Sequence, residues 1–186
     1  MIFFGHIGIT LLLVFLVFTI LKEKIDYRFL MIGAILPDLI DKPIGQYILN
    51  SIFQNGRIFA HTILFIFLLV VLAAYLERKY RFTGVSVLAL GAIAHIAEDE
   101  MWRSPGTALW PLLGWEFPKL DLQDYSGYIW YQLLHNPSAY LPEIVGLIII
   151  AGFVWRFELY RPERLKAFVK TGRLARAEMA VAYVKV

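Results

Sequence analysis

The sequence contains no cysteine. That excludes disulfides, thiolate metal ligands and thiol nucleophiles, so any transition metal bound here must rest on imidazole and carboxylate. Charge is also scarce. Asp, Glu, Lys and Arg make up 18% of the residues, where a soluble domain carries about 25%. Histidine occurs four times in 186 residues, so each position is informative. The N-terminus has neither the basic stretch nor the small-residue cleavage site of a secretory signal, and the first apolar run is expected to be retained. No internal repeat or low-complexity tract is evident, and the length suits one domain.

What the chain does have is apolar sequence: 59% of it, gathered in long runs. Five segments stand out, at about 2–21, 29–40, 58–76, 84–97 and 141–157. A membrane-crossing helix needs about 20 apolar residues. The first, third and fifth come close; the second and fourth are short and fit better inside a bundle, their polar ends lining a cavity. The expected fold is therefore all-α, a polytopic membrane bundle of about five hydrophobic helices. Lys22, Lys24 and Arg28 follow the first segment; Arg78, Lys79 and Arg81 follow the third; Arg161, Arg164, Lys166, Lys170, Arg173 and Arg176 follow the fifth. In a five-pass chain these clusters share one face, which the positive-inside rule makes cytoplasmic. The net charge of +3, collected in this way, suits a membrane surface, and no nucleic-acid partner is expected. The 100–140 loop, with Trp102, Trp110, Trp115 and Trp130, then lies outside, where aromatics favour the interface. Residues 1–160 are expected as the membrane domain, and 161–186 as a basic amphipathic cytoplasmic tail.

Six candidate metal ligands fall together on the opposite face. His6 opens the first segment, Asp38 and Asp41 end the second, His61 lies near the start of the third, and His95 and Asp99 end the fourth. His95 and Asp99 are spaced i,i+4, and Asp38 and Asp41 i,i+3, so each pair shares a helix face. Imidazole and carboxylate together suit Zn²⁺, Mn²⁺ or Fe²⁺. His61, His95, Asp99 and Asp38 are expected to hold one ion, and His6, with Asp99 bridging and Asp41 beside it, a second. Asp41 or Asp38 would orient or deprotonate a water, and Arg57, one turn before His61, would hold a phosphate. Blander roles compete: Asp38 and Asp41 as helix caps, Arg57 as an interface anchor, and Glu98, Asp99 and Glu100 as a solvated acidic patch.

These residues lie in short motifs: His6, then Gly33-Ala34-Ile35-Leu36-Pro37-Asp38, Arg57-Ile58-Phe59-Ala60-His61-Thr62, Gly91-Ala92-Ile93-Ala94-His95-Ile96-Ala97-Glu98-Asp99, and Trp110-Pro111. In order and spacing they resemble the YdjM-like membrane-bound metal-dependent hydrolases of prokaryotes, a family similar to zinc-dependent phospholipases C and related nucleases. The resemblance covers about residues 1–115. It implies a helical, membrane-bound hydrolase of phosphoesters that uses a divalent cation, zinc first and manganese or iron next; the membrane setting makes a phospholipid or lipid-linked phosphate the expected substrate. The second His-x-x-x-Glu pair of the soluble enzymes is missing, since His135 and Glu143 are eight apart. One or two ions are therefore implied, not three. Two other classes stay open: a metal or proton transporter, and a scaffold with a structural metal.

Overall fold

The computed structural model describes residues 1–120 and 124–174, and in these it is helical with no strand. Nine α-helices are found among the described residues: α1 (Phe4–Leu21), α2 (Tyr27–Lys42), α3 (Asn50–Phe53), α4 (Ile63–Tyr80), α5 (Gly84–Glu98), α6 (Pro105–Ala108), α7 (Tyr125–His135), α8 (Pro137–Arg156) and α9 (Pro162–Thr171). A π-helical turn, Pro43–Ile48, continues α2, and a 3-10 turn, Met101–Arg103, follows α5.

Two helices, α1 and α8, are long and apolar enough to cross a membrane. The other apolar helices are shorter or carry charges at one end: α4 closes with Glu77, Arg78 and Lys79. The burial pattern reverses that of a water-soluble bundle. His6, Asp41, His61 and His95 are wholly buried, while Leu13, Leu16, Val17, Phe67, Leu68 and Ile148 are exposed. Of the 18 residues of α4, only Ala73 is buried. Apolar surface this extensive suits hydrocarbon better than water.

The helix ends are held by particular polar groups. Glu143 of α8 accepts the backbone N–H groups of Ile2, Phe3 and Phe4 at 2.7, 3.0 and 2.7 Å, placing a carboxylate at the positive end of α1. Thr62 caps α4, its hydroxyl accepting the Phe65 N–H at 3.0 Å. Two crossings depend on absent side chains. A β-carbon on Gly33 would lie 2.1 Å from the Leu88 carbonyl oxygen, and one on Gly91 2.5 Å from that of Leu30, so α2 and α5 pack backbone to backbone. Gly8 and Gly146 bring α1 and α8 together in the same way. Small residues are how helices pack closely where water supplies no driving force.

Three expected boundaries shift. The third apolar segment starts its helix at Ile63, not near residue 58, because the backbone of the 57–62 turn is recruited elsewhere (below). The 100–140 stretch is not simply a loop: it contains α6 and α7. The expected amphipathic tail begins as α9, which ends at Gly172, a left-handed residue at φ 68°; residues 175–186 lie outside the described residues. Nor does α9 stand apart. Phe168 joins Leu11, Val14, Ile25, Tyr27, Leu30, Phe153 and Phe157 in the apolar core at the basic end of the bundle.

Asp26 organises this junction. It caps α2 by accepting the Arg28 N–H at 3.0 Å and pairs with the Arg28 guanidinium, which donates to the carbonyls of Val169 and Lys170 at the end of α9. Burial pushes the Asp26 carboxyl up, but the hydrogen bonds and charge of Arg28 outweigh it and leave the group below its ordinary range. A carboxylate depressed in the folded state contributes stability that is present above its unfolded value and lost as the pH falls through its folded one. Asp26→Ala is expected to cost about 1 kcal/mol, the size of a lost helix cap, and to speed proteolytic release of α9. Wild type should approach the mutant's rate only in strong acid.

Candidate metal centre

Asp38 from α2, His61 from the turn before α4, and His95 and Asp99 from the end of α5 converge on one buried point, with one ligand atom from each inside 4.8 Å of all the others. His61 Nε2 is 3.3 Å from His95 Nε2. Asp38 Oδ1 is 3.5 Å from His61 Nε2 and 3.8 Å from His95 Nε2. Asp99 Oδ2 is 3.8 and 3.9 Å from the same two nitrogens. A tetrahedral ion with ligands at roughly 2.0–2.1 Å spaces them roughly 3.3–3.4 Å apart; the five spacings that involve a histidine lie close to that, and the two carboxylate oxygens lie within 4.8 Å of each other.

Proton positions follow from the partners on the far side of each ring. His95 Nδ1 is 2.7 Å from the Ala34 carbonyl oxygen, which can only accept, so this nitrogen carries the hydrogen. His61 Nδ1 donates likewise to Asp41 Oδ2 at 2.7 Å. In the neutral rings both Nε2 atoms are then bare lone pairs, turned toward each other and toward Asp38 Oδ1, which is buried without a hydrogen-bond partner. Electron-rich atoms brought this close repel one another, and a cation placed among them removes that repulsion. A ring nitrogen fixed by carboxylate or carbonyl, with the other left free, is also how metal-binding histidines are oriented. The residues present fit a divalent ion.

The local chain supplies these contacts. The close crossing at Gly33 and Gly91 brings His95 against Ala34. Asp41, also wholly buried, accepts the N–H groups of Ile58, Ala60 and His61 at 2.8, 2.9 and 3.1 Å. This unwinds the expected helical start and folds 58–61 around one carboxylate. Asp41 was expected to act on water or to hold a second ion. Its carboxylate is instead committed to four donors, and its place is behind His61 as a positioning residue.

The outer side of the cluster carries two cations. Lys42 Nζ lies 2.5 Å from Asp38 Oδ2. Arg57 Nη2 lies 2.8 Å from Asp99 Oδ2, and the Arg57 side chain as a whole is 42% exposed. The expected phosphate-holding arginine is thus tethered to a ligand while facing outward. His6 stands beside the four. Its ring stacks on that of His95 with centroids 3.9 Å apart. Its Nδ1 pairs with Glu98 Oε2 at 2.8 Å, and its Nε2, buried without a hydrogen-bond partner, is 3.3 Å from Asp99 Oδ1. The Met1 amino group is 3.1 Å from the same oxygen.

A family model, YdjM inner membrane protein, matches residues 1–162. The chain belongs to the YdjM inner membrane protein family. It matches no curated protein and no solved structure. The match spans every residue of the cluster and all the helices from α1 to α8, which agrees with the inside-out burial described above.

Glu98 and Lys42 are site residues that the sequence did not point to. Glu98, expected in a solvated patch, holds His6 and also accepts the Thr10 hydroxyl at 2.8 Å; only Glu100 behaves as expected, pairing with Arg103 at the surface. The signal for Glu98 was its i,i+3 spacing from His95, and for Lys42 its i,i+4 spacing from Asp38. Trp110 does not line the cluster. Its ring packs on Phe59, Phe117 and Trp115, outside the 57–62 turn.

Proposed function

We propose that this protein is a membrane-bound metal-dependent hydrolase acting on a phosphoester of a lipid or lipid-linked molecule. Its site would lie at the extracytoplasmic face of a five-pass bundle formed by α1, α2, α4, α5 and α8. The observation that carries the reading is the pair of facing imidazole lone pairs, 3.3 Å apart, flanked by two carboxylate oxygens. Asp38, His61, His95 and Asp99 would hold the ion, zinc being the first expectation. When bound, a divalent cation there supplies Lewis acidity toward a phosphoryl oxygen and lowers the pKa of water toward about 7.

The chain's own groups supply the rest. His6 Nε2 faces the cluster, and Glu98 at Nδ1 would stabilise an imidazolium there, so this ring is the group assigned to carry the proton given up by the attacking water. His6 and one oxygen of Asp99 are too few ligands for a catalytic ion, which takes about three from the protein. We therefore assign His6 to proton transfer and one ion to the site. Arg57 offers its outward donors to the phosphoryl oxygens. A relay through the membrane is disfavoured by the core beneath the site, where Leu11, Val14, Leu30, Val87 and Phe153 pack together and, among the described residues, no ionisable acid or histidine is part of the cluster. The face assignment rests on the basic clusters at the opposite helix ends.

The test is elemental analysis of detergent-purified protein beside His95→Ala, Asp99→Ala and His6→Gln variants. Wild type and His6→Gln should carry about one transition-metal ion per chain, the double variant none, and His6→Gln should lose about a hundred-fold or more in phosphoester hydrolysis. Wild type that stays empty after metal is added back would remove the ligand assignment. Loss of an ion in His6→Gln would return that residue to the ligands.

A further inference from the structure

Beside the cluster, three side chains meet over Gly56, the residue before Arg57. A β-carbon placed there would lie 3.2 Å from Lys42 Cγ, 3.4 Å from Gln46 Cγ and 3.5 Å from the Tyr125 hydroxyl oxygen. Two of the three come from the α2 helix and its π-helical extension. The third comes from α7, which is pinned to the same extension by the Tyr47 hydroxyl on Ser126 Oγ at 3.0 Å and by the edge-on packing of Tyr47 and Tyr125. The position of Gly56 thus joins the outer helix to the metal centre.

The chemistry of this wall is one-sided. Lys42 and Arg57 are cations touching the two acidic ligands. Gln46 is 5% exposed, and its amide nitrogen is buried with no acceptor. Burial, reinforced by the charge of Asp38, pushes the Tyr125 phenol well above its ordinary value, so it keeps its proton and can donate. Among the described residues, the carboxylates at this point are the ligands Asp38 and Asp99 and the fully engaged Asp41. None is left to receive an ammonium group.

We propose that Lys42, Gln46, Arg57 and Tyr125 form a donor-lined subsite that takes the oxygens of a terminal phosphate. The substrate class is then a lipid ending in a phosphomonoester or diphosphate, not a zwitterionic phosphodiester. The inference rests on the phosphoesterase reading for its chemistry but not for its binding. A terminal phosphate carries more anionic oxygen than the ion alone can satisfy, and an array of donors two of which are cations complements it. In hydrolysis the water oxygen bonds to the terminal phosphorus and the bridging oxygen leaves with the lipid. One water proton ends on that oxygen and the other on the released phosphate.

The experiment titrates inorganic phosphate into metal-loaded wild type, Tyr125→Phe and Gln46→Leu by calorimetry, with metal content measured on each. It also compares hydrolysis of phosphatidate and phosphatidylcholine in mixed micelles. Each variant should keep its metal and bind phosphate about ten-fold more weakly, the size of one hydrogen bond to a charged group, and wild type should prefer phosphatidate. Phosphate binding unchanged in Tyr125→Phe, which alters one oxygen atom, overturns the proposal even if Gln46→Leu fails to fold. A preference for phosphatidylcholine overturns it while leaving the hydrolase reading intact. Phosphate binding that depends on Tyr125, with neither lipid hydrolysed, upholds the subsite and overturns the hydrolase reading instead.

Discussion

Asp41→Ala is expected to empty the metal site and to destabilise the fold more than loss of a ligand does, although Asp41 is not among the ligands. Its carboxylate, wholly buried, satisfies three backbone N–H groups and the Nδ1–H of His61. Removing it leaves four buried donors without their acceptor, each stranded group costing about 1–3 kcal/mol. The 58–61 turn is gathered on this one carboxylate, so it should loosen, and His61 loses the contact that fixes its tautomer. Removing such an outer partner alone lowers metal affinity about 10–100-fold, and displacement of His61 adds to that. Thermal unfolding in detergent, with metal content measured in parallel, checks both effects. Asp41→Asn should fall between, since it keeps one acceptor oxygen but sets an NH₂ group against backbone donors. An Asp41→Ala protein that melts like wild type and keeps its ion would mean that the turn is held by something else.

This case shows which parts of the site were legible in the sequence. Histidine inside an apolar run has few ways to be satisfied, so His6, His61 and His95 stand out, and helix periodicity places His95 with Asp99 and Asp38 with Asp41. Periodicity cannot say which carboxylate of a pair faces the ion. That depends on the chain folding back after Lys42, through the π-helical turn and α3, so that residues 58–61 arrive beneath Asp41 and not Asp38. The same fold-back makes the start of α4 unreadable. Ile58 and Ala60 look like helix, but they are wholly buried and their N–H groups are drawn to a carboxylate 17 and 19 residues earlier. Glu98 and Lys42 were hidden for a related reason. A charge next to other charges reads as solvated until a second helix is placed against it. The apolar core at the basic end, by contrast, follows from the runs themselves, except that Phe168 is contributed by the segment expected to lie apart.

Gly33→Val should match Asp41→Ala in severity by a different route. A side chain at Gly33 would meet the Leu88 carbonyl at 2.1 Å, and backbone cannot rotate aside as a side chain can. The only relief is separation of α2 from α5. Overpacking of this kind costs about 1–3 kcal/mol even where neighbours can shift, and here they cannot. Separation also acts on the site, because the two helices carry its opposite halves. His95 Nδ1 is held by the carbonyl of Ala34, the residue after Gly33, and Asp38 lies little more than one turn further along α2. Moving α5 outward by even an ångström breaks that hydrogen bond and widens the space between Asp38 Oδ1 and His95 Nε2, now 3.8 Å. Metal should therefore be lost along with stability, whereas a change affecting only packing would lower the melting point and spare the ion. Gly152→Ala is the control. It lies inside α8, an added β-carbon there meets nothing within 4 Å, and replacing a helix-interior glycine by alanine should hold stability or raise it by up to about 1 kcal/mol. If Gly33→Val kept both the ion and the melting point of Gly152→Ala, the two helices could not cross as closely as their glycines allow, and the tautomer argument for His95 would lose its foundation.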